Sequence, residues 1–328
     1  MMELKFRNFY RESVNKQKLM DIIRMGNCPS DFHLYYMQNA MFFDTKNIGR
    51  GSDMEENKKL VQVRCTITAL SFFLSIYLLQ CVAVLFGILI FQVMGMDTKS
   101  NTFIIFVSML GALFSLAWCG YWYEGYRTRS EDFSYRKAFS GARILALSGI
   151  GVGGCVSISI LLTLLHQIVP SWFENYQDTM SNFTQGNQIL TILYVLLIGP
   201  VSEEIIFRGV IMNRLCQGFP FMAANLVQAA LFGVYHKNLV QAIYAFVLGF
   251  VFGMVWLMTE TIVASIGVHI LFNATNVLLQ QIFPVGKPVS LALFYMVFLL
   301  CVLLFSAGLW YTIRNCFIEE DKNSNTVH

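Results

Sequence analysis

Eight mostly apolar stretches follow one another along the chain, near 68–95, 102–122, 143–166, 188–212, 221–237, 239–259, 261–282 and 289–313. A helix rising 1.5 Å per residue needs about 20 residues to cross ~30 Å of hydrocarbon, so each stretch predicts a transmembrane helix. The fifth is short, and the fourth contains charged residues where a span should be purely apolar. The pattern predicts an all-α fold: a polytopic membrane helix bundle of about eight transmembrane helices.

The polar segments divide the chain into 1–64, an N-terminal tail and linker; 65–315, the transmembrane helical domain; and 316–328, a C-terminal tail. No secretory signal peptide is expected in the polar, charge-mixed residues 1–60, and the first span is expected to serve as the insertion signal. The patch F-H-L-Y-Y-M-Q-N-A-M-F-F (32–43) is apolar enough to lie on a membrane surface or to form a small folded element, with His33 structural. No internal repeat of the inverted-repeat kind is evident.

Loop charge tests the count of spans, because Lys and Arg accumulate on the cytosolic side. Arg50, Lys58, Lys59 and Arg64 precede the first span, and Arg127, Arg129, Arg136, Lys137 and Arg143 surround the loop between the second and third. The M-D-T-K-S-N loop holds one Lys and the 167–187 loop none, which suits the opposite side. Arg214 and Arg314 then fall inside, Lys237 and Lys287 outside, and both termini are expected to be cytosolic.

Composition agrees: 56% hydrophobic residues, a mean hydropathy of +0.56 and 13% charged residues describe a multi-pass membrane protein, with the cell membrane, or an endomembrane such as the ER in a eukaryotic host, the expected location. A net charge of +3 and no basic patch with interleaved aromatics give no reason to expect nucleic acid as a partner. The eight cysteines form no CxxC pair, so neither a disulfide framework nor a cysteine zinc site is expected. Cys81, Cys119, Cys155 and Cys301 lie in apolar runs and are expected to be buried. Oligomeric state is not legible.

The candidate chemistry sits inside the apolar runs. P-V-S-E-E-I-I-F-R-G (200–209) puts Glu203, Glu204 and Arg208 within the fourth span, although a charge near a bilayer centre costs at least ~2.5 kcal/mol. Glu204 and Arg208 are four apart, on one helical face, and can pair. Glu203 projects about 100° away and is free to face a cavity. Pro200, lacking an N–H, is expected to break or kink the helix near the acids.

F-G-V-Y-H (232–236) ends in His236, and H-I-L-F-N (269–273) aligns His269 with Asn273, and then Asn276, on one face. Separately, these read more readily as an interfacial or hydrogen-bonded histidine and as interhelical hydrogen-bonding groups than as catalytic residues. Counted from the cytosolic span ends, Glu203 lies roughly 16 Å deep, His236 roughly 22 Å and His269 roughly 12 Å, so one chamber could hold all three. A carboxylate, two imidazoles and an amide there would supply a general base, a proton shuttle and oxyanion donors for attack of water on an acyl carbon.

At these residues the chain resembles the CAAX protease and bacteriocin-processing (CPBP, or Abi) family of intramembrane proteases, which includes the type II CAAX prenyl endopeptidases. The likeness covers about 188–285 and rests on EExxxR, FxxxH and HxxxN, matched in order by Glu203-Glu204-Arg208, Phe232-His236 and His269-Asn273. It implies that Glu203 activates water with His236 sharing the task, that His269 and Asn273 stabilise the oxyanion, and that Glu204 and Arg208 hold local structure. The implied activity is an intramembrane endopeptidase acting on a membrane-associated peptide, lipopeptide or protein substrate, with membrane lipid as the other partner. No cofactor is expected in the preferred glutamate mechanism; zinc, if used, would draw on His236, His269 and Glu203. HExxH is absent. The alternatives are a non-catalytic or weakly catalytic bacteriocin-immunity or membrane scaffold protein, and a proton-coupled transporter using the same groups as a relay.

Overall fold

The computed structural model describes residues 51–126, 139–259, 261–282 and 291–323, and every regular element among them is a helix. The 32–43 patch with His33, the basic residues Arg50, Arg127, Arg129, Arg136, Lys137 and Lys287, and the end of the C-terminal tail lie outside the described residues.

The chain is an all-helical, polytopic membrane protein. The helices are α1 (Gly51–Val93), α2 (Asn101–Tyr126), α3 (Gly141–Ile168), α4 (Glu174–Gln185), α5 (Gln188–Cys216), α6 (Phe221–Tyr235), α7 (Leu239–Thr259), α8 (Ile262–Ile282) and α9 (Leu291–Asn323). Among the described residues six are long and apolar enough to span a membrane: α1, α2, α3, α5, α7 and α8. The fifth and eighth expected spans are shorter apolar helices, α6 and the Tyr295–Tyr311 part of α9.

Two polar segments differ from expectation. The linker before the first span is helical from Gly51 onward, continuous with α1, and the 167–187 loop contains α4, a 12-residue helix. α4 is amphipathic: Met180 and Phe183 turn towards the bundle interior while Glu174 stays exposed, a pattern masked in sequence by its low overall hydrophobicity.

α5 runs through the centre. Phe207, Val210, Ile211 and Met212 are fully buried, enclosed by Phe73 of α1, Cys119 and Tyr123 of α2, Phe232 of α6 and Trp256 of α7. A second cluster joins Leu147 and Ile150 of α3 to Phe252 of α7 and Val268 and Phe272 of α8. Lipid tails are as apolar as leucine, so close packing holds such helices together, and small residues permit it. At Gly249 a Cβ would stand 3.0 Å from the Phe232 ring, and at Gly233 only 2.6 Å from the Ala242 carbonyl oxygen. These two glycines let α6 and α7 approach closely.

Cys119, Cys155 and Cys301 are buried as expected, but Cys81 is exposed. It shares the outer face of α1 with exposed Leu74, Leu78 and Leu85, a surface composed to meet hydrocarbon.

The expected break at Pro200 is absent. α5 instead continues through two π-helical segments, Tyr194–Ile198 and Ile205–Met212, on either side of Gly199–Glu204. The Gly199 N–H donates to Tyr194 O, five residues back, and the next position in that register, opposite Val195 O, is Pro200, which has no N–H. Asn273 Nδ2 of α8 donates to Val195 O at 2.9 Å and fills the gap. A local π adjustment and a neighbouring helix together satisfy what proline removes.

The α6–α7 turn is also unusual. Its His236 and Lys237 N–H groups donate to Gly233 O (3.2 Å) and Val234 O (3.1 Å), and Asn238 Oδ1 accepts from Gln241 N at 3.1 Å, starting α7. Lys237 occupies the left-handed region at φ 57°, where a side chain costs about 1–2 kcal/mol and glycine is usual.

Candidate active site

Glu203, His236, His269 and Asn273 all line one cavity of about 680 Å3, walled by α1, α2, α4, α5, α6, α7 and α8. Glu203, His236 and His269 thus share one chamber, as the depth arithmetic anticipates, and Asn273 lines it with them. The amphipathic α4 contributes Met180 and Phe183 to its lining, and the Phe183 ring stacks on that of Tyr194 with centroids 6.0 Å apart.

Behind the cavity wall lies a fully buried polar cluster. Arg208 NH1 donates to Glu204 Oε1 at 2.8 Å, with both side chains at 0% exposure. Arg208 NH2 donates to Gly249 O at 2.9 Å, and the guanidinium sits 4.6 Å from the Phe232 centroid and 5.4 Å from that of Phe252. The cation is therefore held between a carboxylate, a carbonyl and two ring faces. Gln228 Nε2 also donates to Gly249 O (2.9 Å) and to Asn225 Oδ1 (2.7 Å), which tightens α6 on α7.

His269 links this cluster to the cavity. Its Nδ1 lies 2.9 Å from Glu204 Oε1, and its Nε2 lies 3.7 Å from Glu203 Oε2. Glu204 also accepts from Ser265 Oγ through its second oxygen. With Arg208 and Ser265 both donating to it, Glu204 acts as acceptor, so His269 Nδ1 carries a proton and Nε2 is turned to Glu203. Glu204 therefore orients the imidazole as well as pairing with Arg208. Glu203 is the more open acid, its side chain 13% exposed on the cavity side.

The other two groups are fixed by backbone carbonyls. His236 Nδ1 lies 2.8 Å from Phe232 O, an atom that only accepts, so this nitrogen bears the proton and Nε2 keeps its lone pair. Asn273 uses one of its two amide hydrogens on Val195 O, leaving the other. Among the described residues no three His, Cys, Asp or Glu side chains are grouped to hold a metal ion, the set Glu203, His236 and His269 included.

Sequence reasoning missed Ser265. The signal was present, since Ser265 stands four residues before His269 and continues the face of His269 and Asn273 by one turn. It missed Gln228 and Asn225 for a different reason: their partners on α7 are fixed only by helix packing.

The segment that builds this geometry also carries the likeness to known proteins. Residues 185–275 match the family model described as "Type II CAAX prenyl endopeptidase Rce1-like". This segment is similar to CAAX prenyl endopeptidases over less than a third of the chain. The chain is also 33% identical over 96 residues to a Bacillus subtilis (strain 168) protein named "Putative membrane peptidase YdiL". That match covers 29% of this chain, and the chain spans only about two fifths (39%) of the length of that relative. No solved structure matches the chain.

Proposed function

We propose that the chain is an intramembrane endopeptidase that hydrolyses a peptide bond in a membrane-associated peptide, lipopeptide or protein. The observation that carries this reading is the position of His269, held by Glu204 on one nitrogen and facing Glu203 with the other, inside a cavity large enough for a peptide segment.

Glu203 takes a proton from a water molecule whose oxygen attacks the scissile carbonyl. His236 assists by accepting a hydrogen bond from the same water at Nε2. The remaining Asn273 amide hydrogen, and His269 when Nε2 is also protonated, donate to the oxyanion of the tetrahedral intermediate. The C–N bond then breaks as the proton on Glu203 passes to the leaving amine. No step passes through a metal ion, and cleavage is expected to survive thorough chelation.

The test compares peptides in membranes of cells carrying the wild type or Glu203→Gln, followed by cleavage of the identified substrate by purified protein. Glu203→Gln is expected to lower turnover by about 10²–10⁴-fold. Its thermal unfolding should stay near that of the wild type, because Glu203 lies outside the Arg208 pair. Cleavage unchanged in both Glu203→Gln and His236→Ala would remove the reading.

A further inference from the structure

The turn between α6 and α7 brings to the cavity a charge that the hydrolysis above does not use. Among the described residues that line the cavity, Glu203 carries the only carboxylate and Lys237 the only ammonium or guanidinium group. Lys237 directly follows His236, so its backbone lies one peptide unit, about 3.8 Å between Cα atoms, from a residue of the proposed site.

Its backbone is the second observation. Lys237 has φ 57°, at a helix C-terminal position where glycine would be free of strain. A turn that needed only this shape would favour glycine, so the side chain needs its own explanation. A strained residue beside a proposed site is the kind of outlier from which function is argued.

The surroundings of the ammonium group supply the third. Nζ lies 4.8 Å from the Tyr77 ring centroid, and no ion pair joins Lys237 to an Asp or Glu among the described residues. A ring face attracts a cation but leaves N–H donors for an anion. Tyr77 is itself braced by Tyr235, 6.5 Å away between centroids, so the ammonium rests on a packed aromatic shelf. Gln188, Gln241, Gln280 and Gln281 also line the cavity, offering amides suited to a peptide backbone.

We propose that Lys237 is a specificity residue whose ammonium group binds a carboxylate of the peptide substrate and so fixes how that peptide lies across Glu203. This rests on the peptidase reading. The carboxylate can belong to an acidic side chain or to a free carboxyl terminus, and the test separates the two.

The full-length protein is reconstituted in phosphatidylcholine nanodiscs and offered a synthetic peptide pool, prepared with free-acid or amidated ends and with Asp/Glu or Asn/Gln at internal positions. Retention and cleavage are both read by mass spectrometry. Wild type should retain carboxylate-bearing peptides about ten-fold over their neutral counterparts, the size of one charge-assisted contact. Lys237→Arg should keep most of that preference. Lys237→Asn should bring the ratio to about one, and since Asn tolerates the left-handed region the turn is kept. Loss with amidated ends assigns the carboxyl terminus; loss with Asn/Gln assigns a side chain. No carboxylate preference in the wild type, or a preference that survives Lys237→Asn, overturns the proposal, as expected of a lysine that only anchors a span end. Carboxylate-dependent retention without any cleavage would instead overturn the peptidase reading and leave Lys237 as a binding residue.

Discussion

A carboxylate at 0% exposure is tolerated only when its lone pairs are used, and Glu204 uses them on Arg208, His269 and Ser265. The i, i+4 pair with Arg208 was legible from spacing alone. The bond to His269 was not, because the partners are 65 residues apart and meet only when α8 packs on α5. This gives Glu204 two separable roles. Arg208→Met alone should destabilise the protein by about 3–5 kcal/mol, since it strands a buried carboxylate. Adding Glu204→Gln removes the stranded charge and should restore most of the unfolding temperature in detergent. Cleavage should stay depressed by about 10²-fold, because His269 has lost the charged acceptor that orients it. Full activity in the double variant would reduce Glu204 to a purely structural partner of Arg208.

At the scale of the element, α5 shows why a proline reads ambiguously. Sequence shows the missing N–H of Pro200 but not what replaces it, and the replacement comes from α8. The HxxxN spacing of His269 and Asn273 was visible, whereas the use of Asn273 on the π-helical Val195 carbonyl depends on a register that no pattern of hydrophobicity encodes. Asn273 is accordingly expected to serve both backbone and oxyanion, and two substitutions separate these tasks. Asn273→Ala should cost about 1–3 kcal/mol by leaving Val195 O unpaired, and should also slow cleavage. Pro200→Ala in the same chain restores an N–H in the π register and should recover stability without recovering turnover. Recovery of both would mean that Asn273 acts only on the backbone. The short α6 follows similar logic: an apolar run of borderline length forms a 15-residue helix because the left-handed turn at Lys237 ends it.

For the whole molecule, the apolar rhythm made the helical bundle legible, and the loop charges suggested its orientation; α4 was hidden because a polar amphipathic helix carries no hydropathy signal. The site residues gathered from α5, α6, α7 and α8 give the orientation a consequence. Gln188 begins α5, Lys237 follows α6, Gln241 lies in the first turn of α7 and Gln281 closes α8, and all four line the cavity. These ends lie together with α4, and Asn101 at the start of α2 hydrogen-bonds Gln185 at the end of α4 at 3.3 Å. Arg64, Arg143 and Arg214 belong to the opposite ends of their helices, so on the positive-inside rule the cavity mouth is expected to face away from the cytosol. A single cysteine at Gln281, introduced after replacing the native cysteines, should react with a membrane-impermeant maleimide in right-side-out vesicles. A cysteine at Arg214 should react only in inverted ones. The reverse pattern would turn the bundle over and bring substrate from the cytosolic face. The expected pattern requires the peptide to reach Glu203 from the non-cytosolic side, past α4 and Lys237.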